Sequence, residues 1–309
     1  MSKTIEDVLN GLETLKERKQ AVINLANSAT GKSDADVLSA VNTLIDGYGQ
    51  SDNTAKDIIE RTITVLNDET AEKIGAYALY RYSGLKEVSF SNVINIEEYA
   101  LAECAELETV NFGENLTTLG GAVFYNDKAL NNVILPEGLI SIGGSCFSGC
   151  SSLRTIYLPD SLKDVGNYAF NGGKIAISKL PESLETVGEV AFYNNAYLTF
   201  SHIPSGVKTI GNRAFDYCQG ITELIFDGIP EYIGPNAFRS CTNLKTVTFK
   251  GTMGENGLSM DVSTFAGCTK LTTINVPWTQ ETNVVGAPPW GAPNVQYINW
   301  GYVEEGEEQ

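Results

Sequence analysis

The 309-residue sequence has few basic residues relative to acidic ones and contains a single histidine, His202. Lys and Arg total 21 whereas Asp and Glu total 38, which gives a formal net charge of −17. Because phosphate contacts need clustered Lys and Arg, this balance disfavours nucleic acid and anionic membranes as partners. No apolar run approaches the roughly 18 residues of a membrane helix. Residues 1–12 have neither a basic nor an apolar segment, so the sequence predicts no signal peptide.

Catalytic and cofactor motifs are also missing. No Ser or Cys is placed beside His202 by its spacing, which argues against Ser–His or Cys–His catalysis. The triplet from Gly31 to Ser33 resembles part of a phosphate loop, but Ala26 stands where that motif needs its first glycine. The carboxylates are scattered through positions expected to be exposed. We therefore predict no enzyme, no cofactor and no metal site.

The sequence does contain a repeat, in which a Leu or Phe closes each copy. The closing residues are Leu79, Leu101, Phe124, Phe147, Phe170, Phe192, Phe215, Phe238 and Phe265. Successive positions differ by 22 or 23, except for the last step of 27 (265 minus 238). A period in this range with a leucine-rich pattern is typical of a leucine-rich-repeat solenoid.

Each copy has three parts. A short predicted strand carries apolar residues at offsets 0, 3 and 5, as at Leu153, Ile156 and Leu158, and Pro159 ends it. A second apolar pair follows, and a Gly-x-x-Ala-Phe corner such as residues 166–170 completes the coil. We predict that the inward side chains stack on their equivalents one coil away and that the corner glycine permits a backbone turn.

The six cysteines follow the repeat. Five share one column, three residues after a closing residue: Cys104, Cys150, Cys218, Cys241 and Cys268. Cys146 replaces the alanine of one corner. We interpret the column as packed, reduced thiols, since buried free Cys behaves as a small hydrophobic residue. Disulfides across coils and a zinc site are the alternatives, although one histidine and a single C-x₃-C pair suit zinc poorly.

The pattern L-x-x-I-x-L-P-x-x-L-x-x-I-G-x-x-A-F-x-x-C resembles the BspA-type, or Treponema-type, leucine-rich repeat over about residues 60–277. This resemblance implies an α/β repeat fold, a solenoid of about nine coils of 22–23 residues. Two positions depart from the pattern. Ser178 and Ser201 occupy inward columns that are normally apolar, which predicts altered packing in two adjacent coils.

The first 50 residues differ from the repeat and predict helices. Apolar residues at heptad spacing form a seam with one polar interruption at Lys19, and its members are Ile5, Val8, Leu12, Leu15, Val22 and Ala26. Ser33 is a predicted N-cap of a second helix. Because the apolar seam needs a cover, we predict a homo-oligomer, with a trimer favoured over a dimer, or docking on another protein.

The two ends carry a second resemblance. Residues 3–50, and the closing element from Gly286 to Trp300, are similar to segments of structural appendage proteins of phages of Gram-positive bacteria. The predicted domains are a helical oligomerisation or docking segment (1–52), the solenoid (53–277), a capping element (278–302) and an acidic tail (303–309).

The resemblances imply a phage virion structural and adhesion protein of the tail, baseplate or capsid. Its partners would be other virion proteins and a host cell-surface glycan or protein, without membrane insertion. A bacterial cell-surface adhesin or protein–protein interaction module, located outside the cell, is the alternative, and an intracellular scaffold is the third possibility. The lack of a predicted signal peptide favours the virion.

One outward strand column predicts a ligand-binding surface. It is apolar and aromatic in the middle of the chain, with the candidates Ile134, Tyr157, Phe200, His202 and Ile225. An exposed apolar stripe is often an interaction site, although another chain could cover it or strand propensity alone could explain it. A second aromatic column, suited to stacking on sugars, contains Tyr77, Tyr99 and Tyr168.

Overall fold

A computed structural model describes residues 65–69, 71–254, 257–279 and 288–303. The predicted helical segment, residues 1–52, lies outside these residues, as do its seam and almost all of the acidic tail. The described residues form a parallel β-solenoid of about ten turns. They contain only strands and turns, so the expectation of an α/β repeat is wrong for this part of the chain.

The front of the solenoid is a parallel sheet in two segments. The first has four strands, β1 (Val65–Asp68), β3 (Glu87–Phe90), β5 (Thr109–Phe112) and β7 (Asn132–Ile134). The second has five, β11 (His202–Ile203), β13 (Glu223–Phe226), β15 (Thr246–Phe249), β17 (Thr273–Val276) and β18 (Tyr297–Trp300). Each strand pairs with its equivalent one coil away, as Val88 does with Val110.

The back of the solenoid is one continuous parallel sheet of nine two-residue strands. These are β2 (Lys73–Ile74), β4 (Asn95–Ile96), β6 (Thr118–Leu119), β8 (Ser141–Ile142), β9 (Asp164–Val165), β10 (Thr186–Val187), β12 (Thr209–Ile210), β14 (Tyr232–Ile233) and β16 (Ser259–Met260). In each strand the second residue is buried, because side chains alternate between the two faces of a sheet.

The closing phenylalanines form a continuous stack through the core. Consecutive rings from Phe124 to Phe238 lie 5.2–5.3 Å apart between centroids, and Phe265 follows at 5.8 Å. All of these side chains are fully buried. Stacking of one aromatic ring per coil therefore joins neighbouring coils, as the repeat predicts.

The corner glycine has a different role from the predicted one. Within the corner of residues 166–170, the residue with a left-handed backbone is Tyr168 (φ 60°), and the next one, Gly172 (φ 69°), lies just after the corner. Gly166 is required for close approach instead, since an added Cβ would lie 2.5 Å from the backbone nitrogen of Gly144 in the preceding coil. The glycine column thus allows backbones of adjacent coils to touch.

The front sheet is interrupted between β7 and β11, where one isolated bridge joins Thr155 and Ala176. The two serines that depart from the repeat lie here. Ser178 is exposed and Ile177 is buried in its place, whereas beside the half-buried Ser201 the neighbouring residue Phe200 is turned inward. In the coil of Ser178 no front strand forms, whereas Ser201 directly precedes β11, in which His202 pairs with Ile225. The serines therefore mark the two coils in which an inward apolar side chain is displaced by one position.

The described chain ends with the terminal strand of the front sheet. Strand β18, within the predicted capping element, pairs with β17 in register. Trp278 and Trp290 are buried near this end, and the Phe265 N–H donates to the Trp290 carbonyl over 2.9 Å. Two large aromatic side chains thus contribute to the core of the last coils.

Candidate functional site

The predicted ligand-binding column is exposed on the front face, with one exception. Ile134 and Tyr157 are 65% and 60% exposed, His202 is exposed, and Ile225 is half-buried. Phe200 is 1% exposed and packs on Phe215 at 5.4 Å in an edge-to-face contact. Its assignment to the surface was wrong, because Phe200 is turned into the core beside the half-buried Ser201.

The interruption of the front sheet separates the members of this column. Ile134 lies on β7 at one edge of the break, whereas His202 and Ile225 pair in register at the other. Tyr157 lies between them, in a coil that forms no front strand. The structure therefore places Tyr157 in the centre of the break, between two edges of the sheet.

Two adjacent depressions, each with a cavity volume of about 270 Å³, open at the break. The first is lined by Tyr157, Asp160 and the segment from Ala176 to Leu180, among others. The second is lined by Phe200, Glu182, His202 and Asp227, among others. Lys179 borders both depressions, so they form one continuous surface on the front of the middle coils.

The charged groups of this surface are held in exposed pairs. The Lys179 ammonium lies 3.2 Å from Glu182 and 3.5 Å from Asp160, and the Glu182 contact raises the pKa of Lys179. His202 Nδ1 lies 2.9 Å from a carboxylate oxygen of Asp227. Desolvation and the neighbouring carboxylates raise the pKa of Tyr157. The surface thus offers a phenol, several carboxylate acceptors and one ammonium donor.

A hydrolytic arrangement is not assembled here. Ser178 and Ser201 line the same depression as His202 and Asp227. Among the described residues, however, no hydrogen bond joins either hydroxyl to the imidazole. Nor does that part of the chain place three or more His, Cys, Asp or Glu side chains to hold a metal ion. The geometry suits non-covalent binding by hydrogen bonds and ring stacking.

The second aromatic column is only partly assembled. The rings of Tyr77 and Tyr99 stack in parallel with centroids 5.1 Å apart, and Tyr80 lies edge-on to Tyr77 at 5.7 Å. Tyr168 lies three coils beyond Tyr99 and contacts neither ring through an aromatic contact. Tyr77 and Tyr99 therefore form a pair at the first described corners, and Tyr168 does not join them.

An aromatic cluster that was not predicted from the sequence lies on the corner edge of the later coils. The guanidinium of Arg213 lies over the Tyr193 ring at 4.9 Å, and that of Arg239 lies over Tyr217 at 5.8 Å. Arg213 Nε also donates to the buried Asp216 carboxylate over 2.8 Å. The two arginines occupy different columns of the repeat, so the repeat pattern gave no signal for this cluster. These contacts join adjacent coils by cation–π interaction.

The cysteine column is a ladder of buried thiols that form no disulfide among the described residues, as its position in the repeat predicts. Each thiol donates to the carbonyl of the closing residue in the preceding coil, over 3.0–3.3 Å, in Cys104, Cys150, Cys218, Cys241 and Cys268. Burial raises the pKa of Cys150, Cys218 and Cys241. These thiols therefore stay protonated, which keeps them donors and unreactive.

Two coils carry another polar residue in this column. Asn195 Nδ2 donates to the Phe170 carbonyl over 2.8 Å, as a thiol does elsewhere. Asp127 is fully buried and accepts a hydrogen bond from the Cys104 N–H over 2.8 Å. Its second carboxyl oxygen has no hydrogen-bond partner among the described residues. Asp127 therefore differs from Asn195 and from the five thiols, each of which donates to the closing carbonyl of the preceding coil.

In the described part of the chain, no helix is long and apolar enough to cross a membrane. A comparison with curated proteins gives no match. Among the solved structures that this chain resembles are three bacterial proteins. The Treponema pallidum leucine rich repeat protein is 25% identical, with a TM-score of 0.42, and the match covers 60% of this chain and 78% of that one. A leucine rich cell surface protein from Faecalibacterium prausnitzii A2-165 is 19% identical, with a TM-score of 0.39 and coverage of 78% of this chain and 88% of that one. The pneumococcal vaccine antigen PcpA is 20% identical, with a TM-score of 0.44 and coverage of 77% of this chain and 67% of that one.

The repeat itself identifies the family. The BspA type leucine rich repeat region matches residues 61–176 and 165–284 in six copies, which is most of the chain. The matched residues include the front strands other than β18, the continuous back sheet and the phenylalanine stack. The chain belongs to the BspA type leucine rich repeat family.

Proposed function

We propose that the chain is a non-catalytic binding module that recognises its ligand at the break in the front sheet. The observation that carries this proposal is the exposure of Tyr157, which lines one of the two adjacent depressions, at the one place where the described front strands lose their pairing. Large exposed apolar side chains beside concave surfaces are typical of interaction sites.

The remainder of the same column supports this choice by contrast. Asn275 Nδ2 donates to Thr248 Oγ1 over 3.0 Å, and Asn299 Nδ2 donates to Asn275 Oδ1 over 2.7 Å. Thr248 and Asn275 are buried, so their polar groups are satisfied within the protein. The groups around Tyr157 are exposed and remain available to a ligand.

The chemistry of the break suits a cell-surface glycan or protein. The Tyr157 ring offers an apolar face, while Asp160, Glu182 and Asp227 offer hydrogen-bond acceptors beside the Lys179 ammonium. Sugar hydroxyls and protein side chains both use this combination of stacking and charge-assisted hydrogen bonds. Stacked Tyr77 and Tyr99 are a second candidate contact surface at the first described corners.

We place this activity at a bacterial cell surface, the location that the name of the Faecalibacterium prausnitzii protein gives for that relative. The second possibility is a phage virion, in which residues 1–52 dock on other virion proteins or form a homo-oligomer. Cell fractionation with an antibody to the chain distinguishes these locations. Light scattering on the full chain tests self-assembly, and a monomer would leave docking as the role of the seam.

The binding proposal is tested with the variant Tyr157→Ala and the matched control Tyr297→Ala, because Tyr297 is equally exposed but lies on the last front strand. Both variants and the wild type are applied to glycan arrays and to immobilised extracellular proteins. Loss of Tyr157 should weaken binding at least about tenfold, as expected for an aromatic anchor, whereas the control should bind as wild type. Equal binding by wild type and Tyr157→Ala would contradict the proposal.

A further inference from the structure

We propose that Asp127 carries a proton in the folded protein and donates it to the carbonyl of Leu101, so that its ionisation loosens the contact between two coils. The carboxyl would thereby act as a pH-sensitive joint inside the solenoid. This role is independent of the ligand-binding surface on the front face.

Asp127 occupies the same position in its coil as the thiols of the cysteine column. Asp127 lies three residues after the closing Phe124, and the five column thiols hold the same place in their coils. Every one of those thiols donates to the closing carbonyl of the preceding coil. In the coil of Asp127 that closing residue is Leu101. A carboxylate cannot donate, whereas a protonated carboxyl can.

Asn195 shows what a donor of similar shape does at this position. Its Oδ1 accepts from the backbone N–H of Ile175 over 3.3 Å, and its Nδ2 donates to the Phe170 carbonyl over 2.8 Å. Asp127 makes the first kind of contact, because its Oδ1 accepts from the Cys104 N–H over 2.8 Å. Its Oδ2 is buried without a partner among the described residues, which is the atom that a proton would convert into the missing donor.

The groups that face Asp127 do not favour its charged form. Burial is the main cause that raises its pKa well above the usual range, and the Glu103 carboxylate in the preceding coil raises it further. Cys146 and Cys150 face it from the following coil as buried neutral thiols. The backbone N–H groups of Cys104 and Glu103 lower the pKa to a smaller extent.

Asp216 is a second buried aspartate, and unlike Asp127 it has a cationic partner. It is also fully buried, but the Nε of Arg213 lies 2.8 Å from its carboxylate and offsets part of the desolvation cost. No Lys or Arg is among the groups that shift the pKa of Asp127. An unpaired buried carboxylate is costly, so neutralisation by a proton is the cheaper state.

The sign of the pH effect follows from proton counting. The folded protein binds one proton at Asp127 between the unfolded pKa, about 3.9, and the raised folded pKa, whereas the unfolded chain has released it. Stability from this group is therefore fully present below about pH 3.9 and is lost as pH rises through the folded pKa. Within that window the unfolding equilibrium constant increases about tenfold per pH unit.

The test uses a reciprocal pair of variants in the full chain. Asp127→Asn replaces the proton-dependent donor with the permanent donor that Asn195 supplies elsewhere, and Asn195→Asp introduces the proton-dependent donor into a second coil. Chemical unfolding is measured from acidic to alkaline pH. Infrared difference spectra between wild type and Asp127→Asn report the carbonyl stretch of a buried protonated carboxyl.

We expect the wild type to lose stability with rising pH more steeply than Asp127→Asn, by up to about tenfold in the unfolding constant per pH unit. Asn195→Asp should be steeper than the wild type. The infrared band should be present in the wild type at neutral pH and absent from Asp127→Asn. Parallel pH profiles of wild type and Asp127→Asn, or a wild-type spectrum without the band, would overturn the proposal. If Asp127→Asn fails to fold, a wild-type spectrum without the band still overturns the proposal, and the pH profile of Asn195→Asp against wild type still tests the proton-dependent donor.

Discussion

The substitution Gly188→Ala tests whether the corner glycines serve close approach between coils. Gly188 does not have a left-handed backbone, but an added Cβ would lie 2.5 Å from the backbone of Gly166 and Asn167 in the preceding coil. Because real Cβ atoms do not approach backbone atoms this closely, the two coils must move apart. The movement would disturb the phenylalanine stack, in which Phe170 and Phe192 lie 5.2 Å apart.

The magnitude follows from two opposing effects. Overpacking of a well-packed interior costs about 1–3 kcal/mol, and more when the clash is with backbone. Replacing glycine also reduces the entropy of the unfolded chain, which stabilises by about 0.4–1 kcal/mol. The net expectation for Gly188→Ala is a loss of about 0.5–2.5 kcal/mol in the free energy of unfolding. Gly75 is the matched control in the same column, since the nearest described atom to its added Cβ is a flexible Glu97 carboxylate oxygen at 3.9 Å.

Urea unfolding of both variants measures the difference. Gly75→Ala should leave the midpoint unchanged or slightly higher, whereas Gly188→Ala should lower it with little change in the slope. Equal midpoints for the two variants would refute the close-approach argument, since both keep the same position in the repeat. A similar loss in Gly75→Ala would instead indicate that the corner requires glycine for a backbone turn.

Three further predictions concern the same coils. Gly172→Ala should destabilise the protein by about 1–2 kcal/mol, because Gly172 has a left-handed backbone with φ 69°. An added Cβ would meet no atom within 4 Å, so urea unfolding would report backbone strain alone. Phe192→Ala should cost about 3–5 kcal/mol in a thermal or urea unfolding experiment, because it removes one ring from the stack. Thiol titration of the denatured protein should find all six cysteines free, and Cys241→Ser should cost about 1–3 kcal/mol because a hydroxyl replaces a packed thiol.

The repeated parts of the fold could be predicted from the sequence. The spacing of closing residues such as Phe170 and Phe192 fixes which side chains meet one coil away, and the stack confirms it. The thiol ladder was predictable for the same reason. A column position defines both the burial and the neighbour of a residue in a solenoid, so repetition supplies the tertiary information that a single copy lacks.

The position of the break in the front sheet could be predicted from the sequence, but the orientation of its side chains could not. Ser178 and Ser201 marked the affected coils, but the strand period alone did not reveal that Ile177 and Phe200 would turn inward beside them. Which of two adjacent residues points inward depends on backbone pairing with the neighbouring coils. The role of Gly166 was missed for a similar reason, because a contact between backbones leaves no side-chain pattern.

The continuity of the back sheet has a consequence for how new specificities can arise. Its nine strands keep adjacent coils aligned across the middle of the molecule, even where the front strands are unpaired. Mutations around Tyr157 can therefore accumulate without the loss of alignment that would threaten the fold. Evolution or protein engineering could vary this part of the front face in composition and charge, while the back of each coil supplies the fixed framework.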